Sequence, residues 1–598
     1  MATSSNSTII EAIDELHKSL KDYIEATYHI SDPKLVVQRQ KLLNTLGVIS
    51  QKPYLESTPR YKPGTSFKDL GLDPAVMELF SVLSESNPAS KPLIYDPPYS
   101  HQQLAVKETL INKKSIVVMT GTGSGKTECF FLPILGKLAT EASHKGEQFK
   151  NYAAVRALVL YPMNALVNDQ LGRLRLFFGD PRTVNFFKKV SGRPPRFARY
   201  TSRTLYPGVR DQKKDQTALA PLGNYYVNYL EIANGPDGPE KDSAIKLIRQ
   251  LKEKGKWPAK PDLIQWYGRK GSRWTDPRSG QFTRCVALPD DPELLTRYEV
   301  QEAPPDVLVT NYSMLEYMLM RPLERPIFDD TKEWLQQNPT ESLLLVMDEA
   351  HLYRGAAGAE VALLIRRLRV RLGIPPERLQ VICTSASFKD MNYASKFGAQ
   401  LTGKKLEQFV AIKGELALRS PDNMGSELEA NALADINIEK FYEAKTVEEK
   451  LSLLKNFLEF RKISPTNDIP STLYNALSLF HPMNRLINLT MKEAKPLNSL
   501  GREIFDCVDS RLTDKAISAL IALGSFARKN PNEPGLLPCR IHSFYRGLVG
   551  LWACMDPKCS EIPEELHNGP TGKLYSQPRD ACNCGARTLE LFTCRHCG

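Results

Sequence analysis

The sequence predicts an α/β fold built on a doubly wound parallel sheet. Three observations predict it. From about residue 90 to 390, short apolar runs at Ser115–Met119, Arg156–Leu160, Asp306–Thr310, Leu343–Met347 and Leu379–Cys383 alternate with helix-like segments, the pattern of strands covered on both faces. The first run leads into Thr120, Gly121, Thr122, Gly123, Ser124, Gly125, Lys126 and Thr127 and then into a helical stretch. The run at Leu343–Met347 leads into Asp348, Glu349, Ala350 and His351, at the strand end where open α/β sheets hold their ligands.

The glycine-rich octapeptide is a candidate phosphate-binding loop. Gly121, Gly123 and Gly125 let the backbone wrap closely around phosphate oxygens, so that N–H groups and a helix N-terminus face the anion. Lys126 neutralises β/γ charge, and Thr127 is positioned to hold Mg²⁺. Thr120 stands where the strict signature begins with glycine. In the acidic box, Asp348 can hold Mg²⁺ through water and Glu349 can orient or deprotonate an attacking water. With His351 these residues form the candidate catalytic set, and ATP is the implied nucleotide.

Further motifs occur in a fixed order around these two. Tyr95-Asp-Pro-Pro-Tyr-Ser-His-Gln102 precedes the loop; Leu158-Val-Leu-Tyr-Pro-Met-Asn-Ala-Leu-Val-Asn-Asp-Gln170 follows it; Asp306-Val-Leu-Val-Thr310-Asn311 and Thr384-Ser-Ala-Ser387 flank the acidic box. In this order they resemble a superfamily 2 helicase of the DEAH-box type, over about 300 residues. The resemblance implies a RecA-like first helicase lobe, with Gln102 reading adenine. It implies nucleic-acid backbone contacts at Pro162, Asn164, Gln170, Thr310 and Asn311. Thr384, Ser385, Ala386 and Ser387 would link hydrolysis to strand movement. The phrases Asn311-Tyr-Ser-Met-Leu-Glu-Tyr-Met-Leu, Asp348-Glu-Ala-His-Leu-Tyr-Arg-Gly and Gly550-Leu-Trp-Ala-Cys554 further resemble large bacterial helicases with an internal cysteine cluster. Members of that group serve in mitomycin-damage repair and in antiphage systems of the Druantia and DISARM kind, which implies a bacterial cytoplasmic setting and possible defence-system partners.

The remaining segments are ordered along the chain. Residues 1–90 are expected as an N-terminal helical segment, because Ile9, Ile13, Leu16, Leu20 and Tyr23 recur at helical spacing; the preferred reading is a helix docking on the motor core. Residues 91–425 form the expected ATP-binding lobe, interrupted by an insertion at about 181–303 where the alternation fails. There Trp257, Trp266, Trp274 and Tyr267 are interleaved with Lys254, Lys256, Arg269, Lys270 and Arg273. Such a mixture suits stacking on a single strand, but a satellite core beneath a long insertion is the preferred reading. Residues 426–538 read as helical, with Thr446 and Glu449 in a capping-box pattern. The run Arg366-Arg-Leu-Arg-Val-Arg371 reads as a solvated helix face.

In a chain of 598 residues with 42% apolar and 25% charged residues, several globular domains are expected. A net charge of +11 favours a polyanionic partner, DNA by the resemblance, and no apolar run approaches a membrane span. Of 11 cysteines, Cys554, Cys559, Cys582, Cys584, Cys594 and Cys597 fall in residues 539–598. Their paired spacing and Cys-Gly turns predict Zn²⁺ knuckles. Two partitions are open: Cys582, Cys584, Cys594 and Cys597 in one compact site, or Cys554 and Cys559 with one of the later pairs. The second-lobe stretch Gln-x-x-Gly-Arg-x-Gly-Arg is absent from the sequence, so the expectation is the N-terminal portion of a longer or split motor, weak in hydrolysis by itself. The leading function is an ATP-dependent DNA helicase or translocase. An RNA-directed helicase, or an assembly module with a non-hydrolysing nucleotide site, are the alternatives.

Overall fold

The computed structural model describes residues 9–27, 29–86, 91–121, 123–206, 208–268, 271–388, 390–531 and 533–594. Thr122, Arg269, Lys270 and Cys597 lie outside them. The chain divides into two compact units, Tyr61–Glu415 and a second made of Met1–Arg60 with Leu416–Gly598. The segment expected over 1–90 is therefore split: Pro74–Ser84 and its neighbours pack their Val76, Leu79, Phe80 and Leu83 into the core of the lobe.

In the lobe, eight strands form one sheet: β1 (Ser115–Met119), β2 (Ala157–Tyr161), β3 (Phe197–Arg199), β4 (Glu293–Leu294), β5 (Val307–Asn311), β6 (Leu343–Met347), β7 (Leu379–Ser385) and β8 (Phe409–Lys413). Their order is β4-β3-β5-β2-β6-β7-β1-β8, and every pairing is parallel. This is the RecA-like doubly wound arrangement. Strands β1, β2, β5, β6 and β7 are buried along their whole length, which explains their unbroken apolar runs. Separate apolar cores lie on the two faces, one around Phe130, Leu135 and Phe178, the other around Trp334, Leu364 and Leu368.

Two strands begin one residue later than expected, and a buried ion network explains why. Arg156 Nε donates to Glu141 at 2.9 Å and its Nη1 to Asp306 at 2.8 Å; Arg193 Nη1 reaches the other Asp306 oxygen at 2.7 Å. These charges satisfy one another at the amino edge of the sheet, just ahead of β2 and β5. Burial raises the Asp306 carboxyl, but Arg193 and Arg156 pull it further down, so its net shift is below the usual carboxylate range.

The expected interruption at 181–303 is only partly an insertion, because it supplies β3 and β4 to one side of the sheet. Trp257, Trp266, Trp274 and Cys285, which lie between them in the chain, form a satellite core with Tyr298, which follows β4. Trp266 Nε1 donates to Glu299 at 2.8 Å, and Lys260 Nζ bridges Glu299 at 3.0 Å and Asp291 at 2.6 Å. The tryptophans are therefore interior and not stacking platforms.

In the other unit, helices including Glu427–Ala434, Val447–Phe460, Ile469–Leu477, His481–Lys492 and Ser510–Phe526 surround one apolar core. The Thr446 capping box forms as expected: Glu449 N–H donates to Thr446 Oγ1 at 3.2 Å and Thr446 N–H to Glu449 Oε2 at 3.3 Å. The N-terminal helix spans Ile9–Thr27, and of its expected face Ile9 and Ile13 pack against this core and Leu20 against a smaller core around Ile24, contacts that lie within this unit. Leu16 and Tyr23 are exposed; Ile24 is buried with Leu35, Leu43, Leu551 and Leu574, beside the cysteine-bearing strands. Buried Gln38 fastens this contact, donating to Gly572 C=O at 3.2 Å and accepting from Leu574 N–H at 3.0 Å. No helix among the described residues is long and apolar enough to cross a membrane.

Candidate active site

Strand register brings the loops of this site together. Met119 lies beside Ser385, and Met347 beside Cys383, so the loops after β1, β6 and β7 open from adjacent strand ends. Thr120 N–H donates to Ser385 C=O at 3.2 Å. Gly123 and Gly125 both take φ +73°, a backbone that side chains disfavour, and this curls the loop ahead of the helix Glu128–His144. Ser124 Oγ closes the turn by donating to Thr120 Oγ1 at 2.7 Å.

Across the loop stands the acidic box. Lys126 Nζ pairs with Glu349 Oε1 at 3.1 Å, and the other Glu349 oxygen lies 3.3 Å from His351 Nδ1. Glu349 adopts the left-handed region at φ +50°, a conformation few non-glycine residues hold without tertiary support. Asp348 is buried and accepts from Thr384 Oγ1 and, at 3.0 Å, from Glu349 N–H. Burial first, then the neighbouring Glu349 charge, raise the Asp348 carboxyl above its ordinary range. Ser385 Oγ lies 3.3 Å from His351 Nδ1, and Ser387 N–H donates to Ser385 Oγ at 3.1 Å. Ala386 and Ser387 are exposed in the turn that follows. Thr384 and Ser385 thus each touch the acidic box directly.

A cleft of about 600 Å³ adjoins the loop, lined in part by Tyr95, Tyr99, Gln102, Lys126, Thr127 and Arg173. Gln102 donates to Gly125 C=O at 3.2 Å and accepts from Tyr99 N–H at 2.9 Å. These two bonds orient its amide between cleft and loop. Three supporting residues were not singled out from the sequence, although His101 lies within the quoted motif Tyr95–Gln102. Tyr61 Oη accepts from Gly121 N–H at 3.3 Å, across 60 residues of chain. His101 is fully buried, with Nε2 2.9 Å from Ser124 C=O; burial lowers its basicity, and the carbonyl requires the proton on Nε2. Arg173 pairs with Glu128 at the rim of the cleft.

These residues fit magnesium-bound ATP. Lys126 and the loop N–H groups offer positive charge to phosphates, whereas Thr127 and Asp348 are oxygen donors of the kind Mg²⁺ prefers. A buried Asp348 next to Glu349 is a carboxylate pair that a divalent cation would neutralise. When bound, the cation and triphosphate supply a polarised phosphoanhydride. For their part, Lys126 can hold phosphate charge, Glu349 can receive a proton from water, and Thr384 and His351 keep both carboxylates in position.

The expected nucleic-acid residues are brought to one region, though not all to the surface. Asn311 Nδ2 donates to Asn164 Oδ1 at 2.6 Å, and Asn311 Oδ1 caps the next helix through Met314 N–H at 2.7 Å. Pro162 and Asn164 are partly exposed. Thr310 is fully buried with its hydroxyl donated to Tyr200 C=O at 2.6 Å, and Gln170 is buried too.

In the second unit, Cys554, Cys559, Cys582 and Cys584 converge, their sulfurs all within 4.8 Å of one another. Cys554 and Cys584 sulfurs are 3.5 Å apart, as are those of Cys559 and Cys582. A tetrahedral ZnS₄ centre with bonds of about 2.3 Å requires sulfur separations of about 3.8 Å, so the set fits zinc. Of the two partitions, this geometry is the one that joins Cys554 and Cys559 to the Cys582 knuckle. Cys594 is exposed and outside the group.

The DEAD/DEAH box helicase family matches this chain over residues 99–201 and 270–395. The lobe is a DEAD/DEAH box helicase domain. The break in the match coincides with most of the satellite core. Over 620 aligned residues the whole chain is 40% identical to Druantia protein DruE of Escherichia coli (strain UMEA 4076-1), of which it spans 33%. It is 24% identical over 292 residues to the uncharacterized ATP-dependent helicase MJ1574 of Methanocaldococcus jannaschii, covering 49% of this chain and 26% of that one. Among solved structures, the DUF1998 helicase MrfA bound to DNA and AMPPNP aligns with 17% identity and a TM-score of 0.31, over 76% of this chain and 44% of that one. The helicase domain thus occupies part of much longer relatives.

Proposed function

We propose that the chain is the first motor lobe and zinc module of an ATP-dependent DNA helicase or translocase. The observation that carries this reading is the contact of Lys126 with Glu349 at 3.1 Å, made between the phosphate loop and the acidic box of a DEAD/DEAH box domain. Lys126 cradles the phosphates, Thr127 and Asp348 hold Mg²⁺, Glu349 serves the attacking water, and Gln102 reads the base. Asn164 and Pro162 meet the strand, while Thr384 and Ser385 relay the state of the acidic box. A second RecA-like lobe, in the same longer polypeptide or in a partner chain, completes the site, since arginines supplied from outside a phosphate loop are worth about 10³–10⁵ in turnover. Similarity along the whole chain to a third of a Druantia protein, and a cysteine cluster of the kind that large bacterial helicases carry, support DNA as the track and cytoplasmic antiphage defence as the setting.

The test is ATP hydrolysis by the full-length protein with single-stranded DNA, with RNA and with neither. Stimulation by DNA of at least about tenfold over the protein alone is expected. Equal stimulation by RNA would overturn the DNA assignment, and no response to either polymer would overturn the motor.

A further inference from the structure

The cations that stood among the insertion's tryptophans separate from them in the structure. The rings turn inward, while Lys254 and Lys256 face solvent at a cleft of about 570 Å³. The helix Asn164–Phe178, on which the lysine turn packs, also lines that cleft, together with Arg199 and Arg203 at and after β3.

The lysine turn is held firmly against this helix. Gly255, between the lysines, has φ +63°, and a Cβ there would stand 2.2 Å from Gly172 C=O, so only glycine permits the approach. Arg175 Nη1 donates to Gly255 C=O at 3.3 Å, and Tyr226 Oη donates to Lys256 C=O at 3.4 Å. The backbone is thereby fixed while both ammonium groups remain free of it.

The charge balance of the cleft is positive. Glu293 is fully engaged by Arg175, with contacts of 2.7, 2.8 and 3.0 Å. Exposed Asp169 is the other carboxylate on the lining. Among the described residues no ion pair is formed by Arg199, Arg203, Lys254 or Lys256. Burial, with Arg175 and Arg203 as like-charged neighbours, lowers the Arg199 guanidinium below its usual range, and the nearby Glu293 carboxylate offsets this only in part.

The position of the cleft identifies its anion. Arg199 Nη1 donates to Asn168 Oδ1 at 2.6 Å, and Asn168 lies one helical turn beyond Asn164 on the same face. We infer that this cleft carries the sugar-phosphate backbone of a nucleic-acid strand onward from Asn164, with Arg199, Arg203, Lys254 and Lys256 as its phosphate contacts. The inference rests on the reading of the lobe as a nucleic-acid motor. It assigns the insertion a function that its buried aromatics do not provide: a second bank for the strand, reading charge and not sequence.

A labelled oligothymidylate titrated into the chain at several salt concentrations tests it. Lys254→Ala with Lys256→Ala is expected to weaken binding about tenfold at fixed salt and to make the log–log salt slope shallower by about 1.4, or 0.7 per phosphate on a single strand. The paired Lys→Arg variant keeps charge and is expected to keep affinity and slope, which separates charge from folding. Unchanged affinity and slope in the alanine variant would overturn the second bank. If Asn164→Ala still weakened binding in that case, the motor reading would stand without it; if no variant altered binding and the wild-type response were flat with salt, the motor reading itself would fall.

Discussion

The nucleotide site and the cysteine cluster are both assembled from residues far apart in sequence, yet their support differs. The first sits on eight strands with an apolar core on each face, and its side chains already bond one another: Lys126 to Glu349, Thr384 to Asp348. The second has strands of four, two and four residues; the buried cysteines with Ile562 and Tyr575 form the core around the sulfurs, while Leu551, Ala553 and Leu574 of these strands join a separate small core with the N-terminal helices. A site on a large core persists without its ligand. One whose ligating atoms make up the core on one side of a small sheet depends on the ligand for its local order.

Removing a cysteine should therefore break the contrast most visibly. Cys559→Ser is expected to release at least one zinc per chain and to expose residues 551–591 to protease, while 61–415 stay protected; zinc by absorption and mapped cleavage sites check both. A metal-free but protected C-terminal module would put the two sites on an equal footing. Next in size, Trp266→Ala should cost about 3–5 kcal/mol in urea unfolding, because a buried ring and its bond to Glu299 are lost together. Preserved stability with selective loss of oligonucleotide affinity would instead make that ring a stacking platform.

A smaller effect concerns pH. Burial raises Glu341, but Lys137 at 3.1 Å and Lys145 at 3.2 Å outweigh it and bring its carboxyl down to about 2 from 4.5. The unfolded chain then binds the proton more readily than the folded one. The contribution of Glu341 is complete above pH 4.5 and disappears as pH falls toward 2. Unfolding curves across that window should be steeper in pH for the native protein than for Glu341→Gln, and identical slopes would remove the pair from the account.

The nucleotide site was legible because each motif occupies a strand end and the strands are parallel, so the loops that carry the motifs all open at the same edge of the sheet. Lys126, Asp348, Glu349 and Thr384 meet for that reason. Tyr61 was illegible because a single hydroxyl buttressing Gly121 leaves no pattern in sequence. Thr310 and Gln170 were expected to contact the strand, but both are buried, since whether a polar side chain faces water or the interior depends on packing that no linear pattern encodes. The same limit explains the insertion: aromatic and basic residues alternate in sequence, and only folding sorts rings inward and lysines outward. Cys554 and Cys559 needed the third dimension too, since spacing alone allowed either partner pair.

The central claim is that Lys126 holds phosphate while Glu349 serves water, and equilibrium binding of labelled ATP beside single-turnover hydrolysis in the complete motor tests it most directly. Lys126→Ala should lose at least about tenfold in ATP affinity, whereas Glu349→Gln should bind as tightly as the native protein and lose turnover by at least about a hundredfold. Equal loss of binding in both variants, or native turnover in Glu349→Gln, would contradict the assignment.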